Sequence, residues 1–187
     1  MNSCSIAFSV ALALIVILFL SLNSRLLDAL KDMSVLASDQ RSYSLAKTTL
    51  FFWTVLILLS ICYLGIVLGK VPELNEGVLA LLGIAAGTTA TAATIDSLQS
   101  QDPKIARIQD NSKTENFFLD ILSDKDGIST TRLQTFIFNI IYGCYFISVV
   151  ISDEKLFLFP AKTLMLLGIS SGAYALLKVT ENRPVTK

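Results

Sequence analysis

Residues 81–87 read LLGIAAG, and residues 166–172 read LLGISSG. Two near-identical heptapeptides, each inside an apolar run, define an offset of 85 positions. Carried along the chain without a gap, that offset lays Ser44 on Ser129, Lys47 on Arg132, Phe51 on Phe136, Trp53 on Phe138, Lys70 on Lys155 and Leu79 on Leu164. Gly83, Ile84 and Gly87 fall on Gly168, Ile169 and Gly172, and Asp96 falls on Glu181. Leucine matches between apolar helices would mean little by themselves. Paired glycines, a flanking base and a terminal acid in one register are the signature of a duplicated unit. Residues 43–96 and 128–181 are read as two versions of one helical hairpin.

Charge is distributed to match. Only 16% of the 187 residues are charged, where a soluble domain carries about 25%. The charges leave five stretches empty: Ile6–Leu22, Thr48–Gly69, Val78–Ile95, Leu133–Ser152 and Thr163–Leu177. Crossing the hydrocarbon core takes roughly 20 residues, with a range of about 17–25. Ser3–Ser5 can lengthen the first stretch, and Lys162 and Lys178 can snorkel from the ends of the last. The sequence therefore predicts an all-α polytopic membrane bundle of five transmembrane helices. The first is expected to be a retained helix, because MNSCS lacks a basic n-region and SLNSRLL is a poor cleavage site.

Segments 23–47, 97–132 and 178–187 hold twelve Lys and Arg, against Lys70, Lys155 and Lys162 on the opposite side. That bias predicts a cytoplasmic face for the three segments, with the amino terminus outside and the carboxyl terminus inside. Each hairpin returns the chain to the face it left, so both point the same way. Their pseudo-symmetry axis is expected along the membrane normal. The chain divides into an anchor helix with an amphipathic connector (1–42), the first hairpin (43–96), a linker with a short helix (97–127), the second hairpin (128–181) and a tail (182–187). The linker and tail are cytoplasmic in this reading.

The glycines suggest close packing. Gly83 with Gly87, Gly168 with Gly172, and Gly65 with Gly69 are each four residues apart, so each pair lies on one helix face. In lipid, helices associate through van der Waals packing and interhelical hydrogen bonds, and small residues let backbones approach. The expected use is an intramolecular seam between the hairpins, extended by Thr91 and Ala175. The same motif serves oligomer interfaces, and the chain is expected to be a homo-oligomer. Ser44 and Ser129 precede spans and are candidate N-caps. Trp53 and tyrosines 43, 63, 142 and 145 are candidates for interfacial belts. Cys62 and Cys144 read as buried packing residues.

Between the spans, positions 26, 27, 30, 33 and 36 suit an amphipathic continuation of the first helix. Residues 116–123, NFFLDILS, place Phe117, Phe118, Ile121 and Leu122 on one side of a short helix. That side is expected to dip into the interface or pack on the bundle. Docking a cytoplasmic protein partner is its sharper reading.

Catalytic chemistry is hard to find. The chain has no histidine, which removes the commonest general base and metal ligand. DKDG at 124–127 fails as a calcium loop, since Leu122 and Leu133 would stand at the first and twelfth positions. No P-loop or dinucleotide fingerprint appears. No catalytic residue, metal site, cofactor or nucleic-acid partner is expected. Neutral polar residues within the spans include Thr88, Thr89, Thr91, Thr94, Asn139, Ser148, Ser170 and Ser171. Thr88, Thr91, Thr94 and Asn139 are the candidates for a polar axis; bonding to neighbouring helices or to preceding-turn carbonyls is the ordinary alternative.

YSLAKTTLFFWT, LLGIAAGTT with Asp96, FFLDILSDKDGIST with RLQ, and LMLLGISSGAY with KVTE together carry a resemblance over most of residues 43–181. The chain resembles a family of uncharacterised bacterial inner-membrane proteins with two tandem hairpins, each ending in a Gly-Ile-Ser/Ala-x-Gly-Thr-like motif. Asn139 and Ala173 depart from that pattern at the places matching Thr54 and Thr88. The resemblance implies the architecture and a multi-pass location in the bacterial inner membrane, and brings no activity with it. Two functions follow as expectations. One is a non-enzymatic, oligomeric scaffold or sensor presenting residues 97–132 to a partner. The other is a pore-forming effector that alters permeability, as a bacterial defence system might use.

Overall fold

The computed structural model describes residues 3–102, 104–107, 116–124 and 126–184. The chain is helical, and five of its helices are long and apolar enough to cross a membrane. Helix α1 (Ser3–Ser21) continues into a short α2 (Asn23–Ala29). After a 3₁₀ turn at Ser38–Gln40 come α3 (Leu45–Leu68) and α4 (Glu76–Gln101). Helix α5 (Phe117–Leu122) precedes the second pair, α6 (Thr130–Asp153) and α7 (Ala161–Glu181). Two-residue strands tie the connections: β1 (Ile105–Ala106) pairs antiparallel with β4 (Arg183–Pro184), and β2 (Ser123–Asp124) with β3 (Gly127–Ile128).

Helices α3 and α6 are both 24 residues long and begin at Leu45 and Thr130; α4 and α7 begin at Glu76 and Ala161. Both starts are 85 positions apart. The first helix of each pair also stops in the same way, with a left-handed residue, Gly69 at φ 65° and Glu154 at φ 50°. Gly69 accepts that conformation without a Cβ penalty and closes a bond from its N–H to the Gly65 carbonyl at 3.1 Å.

Helices α3, α4, α7 and α6 form a ring in which each touches the next. Its interior is filled by Trp53, Ile57, Leu64, Val78, Leu81, Phe146, Phe159 and Leu167. Trp53 is therefore no belt residue. It is fully buried, and its indole Nε1–H donates to Asn139 Oδ1 at 2.6 Å. Helix α1 lies outside the ring and packs antiparallel on α3. The Ser5 hydroxyl donates to the Ile66 carbonyl at 2.9 Å, and Phe19 meets Phe51 edge-on.

The glycines are used differently from the expectation. The Phe8 ring occupies the space over Gly65, so one predicted glycine does serve helix packing, between α1 and α3. Gly143 receives Phe52, and a Cβ on Gly77 would come within 2.6 Å of the Phe159 backbone nitrogen; neither glycine stood out in the sequence. The intramolecular seam expected at Gly83, Gly87 and Gly172 is not built, since a Cβ at any of them would meet nothing within 4 Å. At Gly168 it would find only the ordinary contact of Ile84, at 3.7 Å. Larger side chains hold α4 against α7, leaving Gly83 and Gly87 on an outward face with Ala80, Ala86, Ala90, Thr91 and Thr94.

Other local expectations shift too. Neither Ser44 nor Ser129 caps its helix through its side chain, whereas Asn75 caps α4 by accepting from Val78 N–H at 2.9 Å. The continuation of the first helix ends at Ala29, after which the chain folds back through a bridge between Lys31 and Tyr43. Leu27 and Met33 remain exposed. Cys62 is buried as expected, but Cys144 faces outward.

Candidate functional site

The charged residues at the helix ends converge at one end of the bundle. Lys178, in the last turn of α7, is 1% exposed rather than snorkelling. Its ammonium lies 2.7 Å from Asp96 Oδ2 on α4 and 3.1 Å from Asp32 Oδ1 in the loop after α2. Asp96 Oδ1 in turn accepts from Arg107 Nη2 at 3.1 Å, just beyond β1. Beside this chain, Arg132 in the first turn of α6 donates through Nη2 to both oxygens of Glu181, at 2.7 and 2.8 Å. Three carboxylates and three cations thus balance one another, all with nearly inaccessible side chains.

Burial on this scale needs partners, because an isolated charge taken out of water costs several kcal/mol even after relaxation. Here each charge has an opposite neighbour within bonding distance. Burial pushes the Asp32 carboxyl up, but the Lys178 ammonium and the Ser44 hydroxyl outweigh it and hold Asp32 below its ordinary value. Neutral groups extend the network. Gln99 donates to the Val179 carbonyl at 3.2 Å and accepts from Asn182 at 2.6 Å. Lys47 donates to the Lys31 carbonyl at 2.6 Å, and Asp120 accepts from the Tyr43 backbone at 3.2 Å.

A cavity of about 230 Å³ opens beside the Arg132–Glu181 pair, lined also by Asp124, Asp126, Ser129, Thr131, Tyr174, Leu177, Lys178 and Thr180. Arg132 stands 5.4 Å over the Tyr174 ring. The Tyr174 hydroxyl is buried and has no hydrogen-bond partner among the described residues.

The residues proposed for a polar axis do not meet. Asn139 is inside the ring, donating to the Thr135 carbonyl and accepting from Trp53. Thr91 and Thr94 are on the outer face of α4, and Thr88, Thr91 and Thr94 each bond the carbonyl four residues back. That local bond is the ordinary resting place of a helical threonine hydroxyl. Of the candidate docking residues, Ile121 is fully buried with Leu45, Ala46, Ala92 and Tyr174. Phe117 and Leu122 are half-buried against the same cluster, and Phe117 meets Tyr43 at 5.0 Å. Phe118 remains exposed while touching the edge of Phe136. Helix α5 therefore packs on the bundle.

Sequence reasoning used Asp96 and Glu181 only as markers of the offset and did not see their role. A signal existed: an acid at the end of each hairpin has no reason to recur unless a cation meets it. Asp32 and Arg107 carried no such signal. Comparison with protein-family models, with curated proteins and with solved structures finds no match.

Proposed function

We propose that this chain is a non-enzymatic, multi-pass scaffold of the bacterial inner membrane that presents a rigid cytoplasmic platform to a protein partner. The observation that carries the reading is the balanced charge network, which joins Asp32 and Arg107, from two connecting segments, to Lys178 and Asp96 at the helix ends. A loop that only linked spans would not need buried ion pairs to hold its shape. Asp32, Asp96 and Glu181, the carboxylates of this network, each bond a cation.

The Lys and Arg bias supports placing this end in the cytoplasm, with the amino terminus outside. The matched helix starts and the paired left-handed stops support a duplicated hairpin, with both copies pointing the same way. Self-association belongs to the outward face of α4, where Ala80, Gly83, Gly87 and Ala90 leave a shallow strip open to a second helix.

The test is isolation of the full chain from its native membrane in mild detergent. The expected result is an oligomer carrying a stoichiometric cytoplasmic partner, with Gly83→Leu reducing the oligomer and leaving the monomer folded. A wild-type monomer without a partner overturns the scaffold. The pore reading survives in one form: Trp53, Phe146 and Phe159 fill the interior of a single chain, so a conducting path would run between chains along Thr91 and Thr94. Conductance in planar bilayers that Thr91→Leu alters would put that reading in place of the scaffold.

A further inference from the structure

The cavity beside Arg132 has the makings of a binding site that the scaffold reading does not use. It sits where α6 begins and α7 ends, so if those helices span the bilayer it lies at the depth of the lipid head groups. One wall is the first turn of a 24-residue helix whose N-cap, Ser129, makes no side-chain capping bond. The leading N–H groups of a helix and the positive end of its dipole favour an anion. Arg132 adds a fixed positive charge there; both of its bonds to Glu181 come from Nη2, and a guanidinium has donors on two further nitrogens. Thr131 lines the same wall.

The independent sign of a ligand is Tyr174. It lines the cavity, is 3% exposed, and buries a hydroxyl that finds no partner among the described residues. Leaving such a group unbonded is costly, and native structures rarely do so without a reason.

The lining also says which ligand. A bare anion would be opposed by Asp124 on the rim, which accepts from the Asp126 N–H at 2.9 Å. A bare cation would be opposed by Arg132 and the helix start. A group carrying both charges satisfies both walls. Leu177, exposed and apolar, leads from the cavity onto the outer face of α7 toward Ala173 and Ile169, a path suited to an acyl chain. We propose that this cavity binds a zwitterionic phospholipid head group, a phosphate carrying a primary ammonium. The phosphate lies against the α6 start, Arg132 and Tyr174, and the ammonium against Asp124. The inference depends on the membrane reading of α6 and α7 and not on the existence of a protein partner.

Two variants test it without disturbing the fold. Tyr174→Phe removes a hydroxyl that bonds none of the described residues. Asp124→Asn keeps the Oδ1 that accepts from Asp126 and removes only the charge. Both should unfold at the wild-type temperature in lipid-free micelles. The measurement is native mass spectrometry of the full chain in detergent with added phosphatidylethanolamine, phosphatidylglycerol or phosphatidylcholine of one acyl composition. The expected result is retention of one phosphatidylethanolamine per chain in preference to the other two, weakened about tenfold by each variant, the scale of one lost hydrogen bond or ion contact. Equal retention of the three lipids, or retention unchanged in both variants, overturns the proposal. Soluble glycerophosphoethanolamine is the remaining arm: if it binds as tightly as the lipid, the bilayer is not the source of the ligand and the lipid assignment falls.

Discussion

The two hairpins start their helices in the same register and close their charged ends in different ways. In the second, Arg132 on α6 and Glu181 on α7 meet directly, so the hairpin satisfies itself. In the first, Lys47 and Asp96 hold the corresponding places but do not bond. Lys47 turns to the Lys31 carbonyl, while Asp96 reaches Lys178 on the other hairpin and Arg107 on the linker. Part of the reason is chemical. An arginine presents several donors in a rigid fork, whereas a lysine is a point charge on a flexible stem that goes where the nearest acceptor lies. Part is composition: Lys178 corresponds to Ala93 in the first hairpin, so the second carries a base the first lacks. The unmatched base is what makes the first hairpin's acid a link between the two. One hairpin is closed on itself, and the other is held by what it borrows.

The largest test of this contrast is Lys178→Met. It takes the cation from buried Asp32 and leaves Asp96 only Arg107, and removing one partner of a buried pair costs about 3–5 kcal/mol. The unfolding midpoint in micelles should fall steeply, and residues 30–44 should become protease-sensitive. The matched comparison is Arg132→Met with Glu181→Met. Because both members of that pair go together, the loss should be much smaller, since apolar replacement of a whole buried pair is often close to neutral. Equal losses in the two experiments would erase the distinction between the hairpins.

Trp53→Phe probes the middle of the ring, where the second hairpin already carries Phe138 in the corresponding place. The variant leaves Asn139 Oδ1 without its donor, and an unsatisfied buried acceptor costs about 1–3 kcal/mol. Unfolding monitored by circular dichroism should show a loss of that order. The smallest effect is expected at the helix stops. Glu154 sits at φ 50°, where a side chain is disfavoured by about 1–2 kcal/mol, and Gly69 occupies the same place in the first hairpin without that penalty. Glu154→Gly should therefore raise the midpoint modestly, by about 1 kcal/mol of stability. A fall would mean that the Glu154 side chain does something Gly69 need not.

Much of the fold could be read from local pattern. The five apolar stretches fall within the five long helices to within one residue, and both helix starts of the two pairs stand at the 85-residue offset. Hydropathy and helix-start chemistry act over a few turns, so they survive in any linear reading. The glycines were less legible. G-x-x-x-G says that a backbone can be approached closely, but not what approaches it; Phe8 fills the space at Gly65 and nothing fills it at Gly83. The serines before α3 and α6 marked the starts correctly and were misread as caps, because a cap is a bond and a serine oxygen has other choices. Trp53 was misread because amphipathic rings suit an interface, and only its bond to Asn139 explains a buried indole.

By itself the sequence determined how many helices there are, roughly where each begins, and which connecting segments carry the positive charge. Those properties depend on the solvation of short stretches and on backbone geometry, both written locally. Only the tertiary structure decided that Lys178 would be shared between Asp96 and Asp32, the latter 146 positions away. It likewise decided that Tyr174 would bury a hydroxyl with no partner among the described residues. A buried charge accepts whichever opposite charge the packing brings within about 3 Å, and that depends on how helices settle against one another rather than on any spacing along the chain.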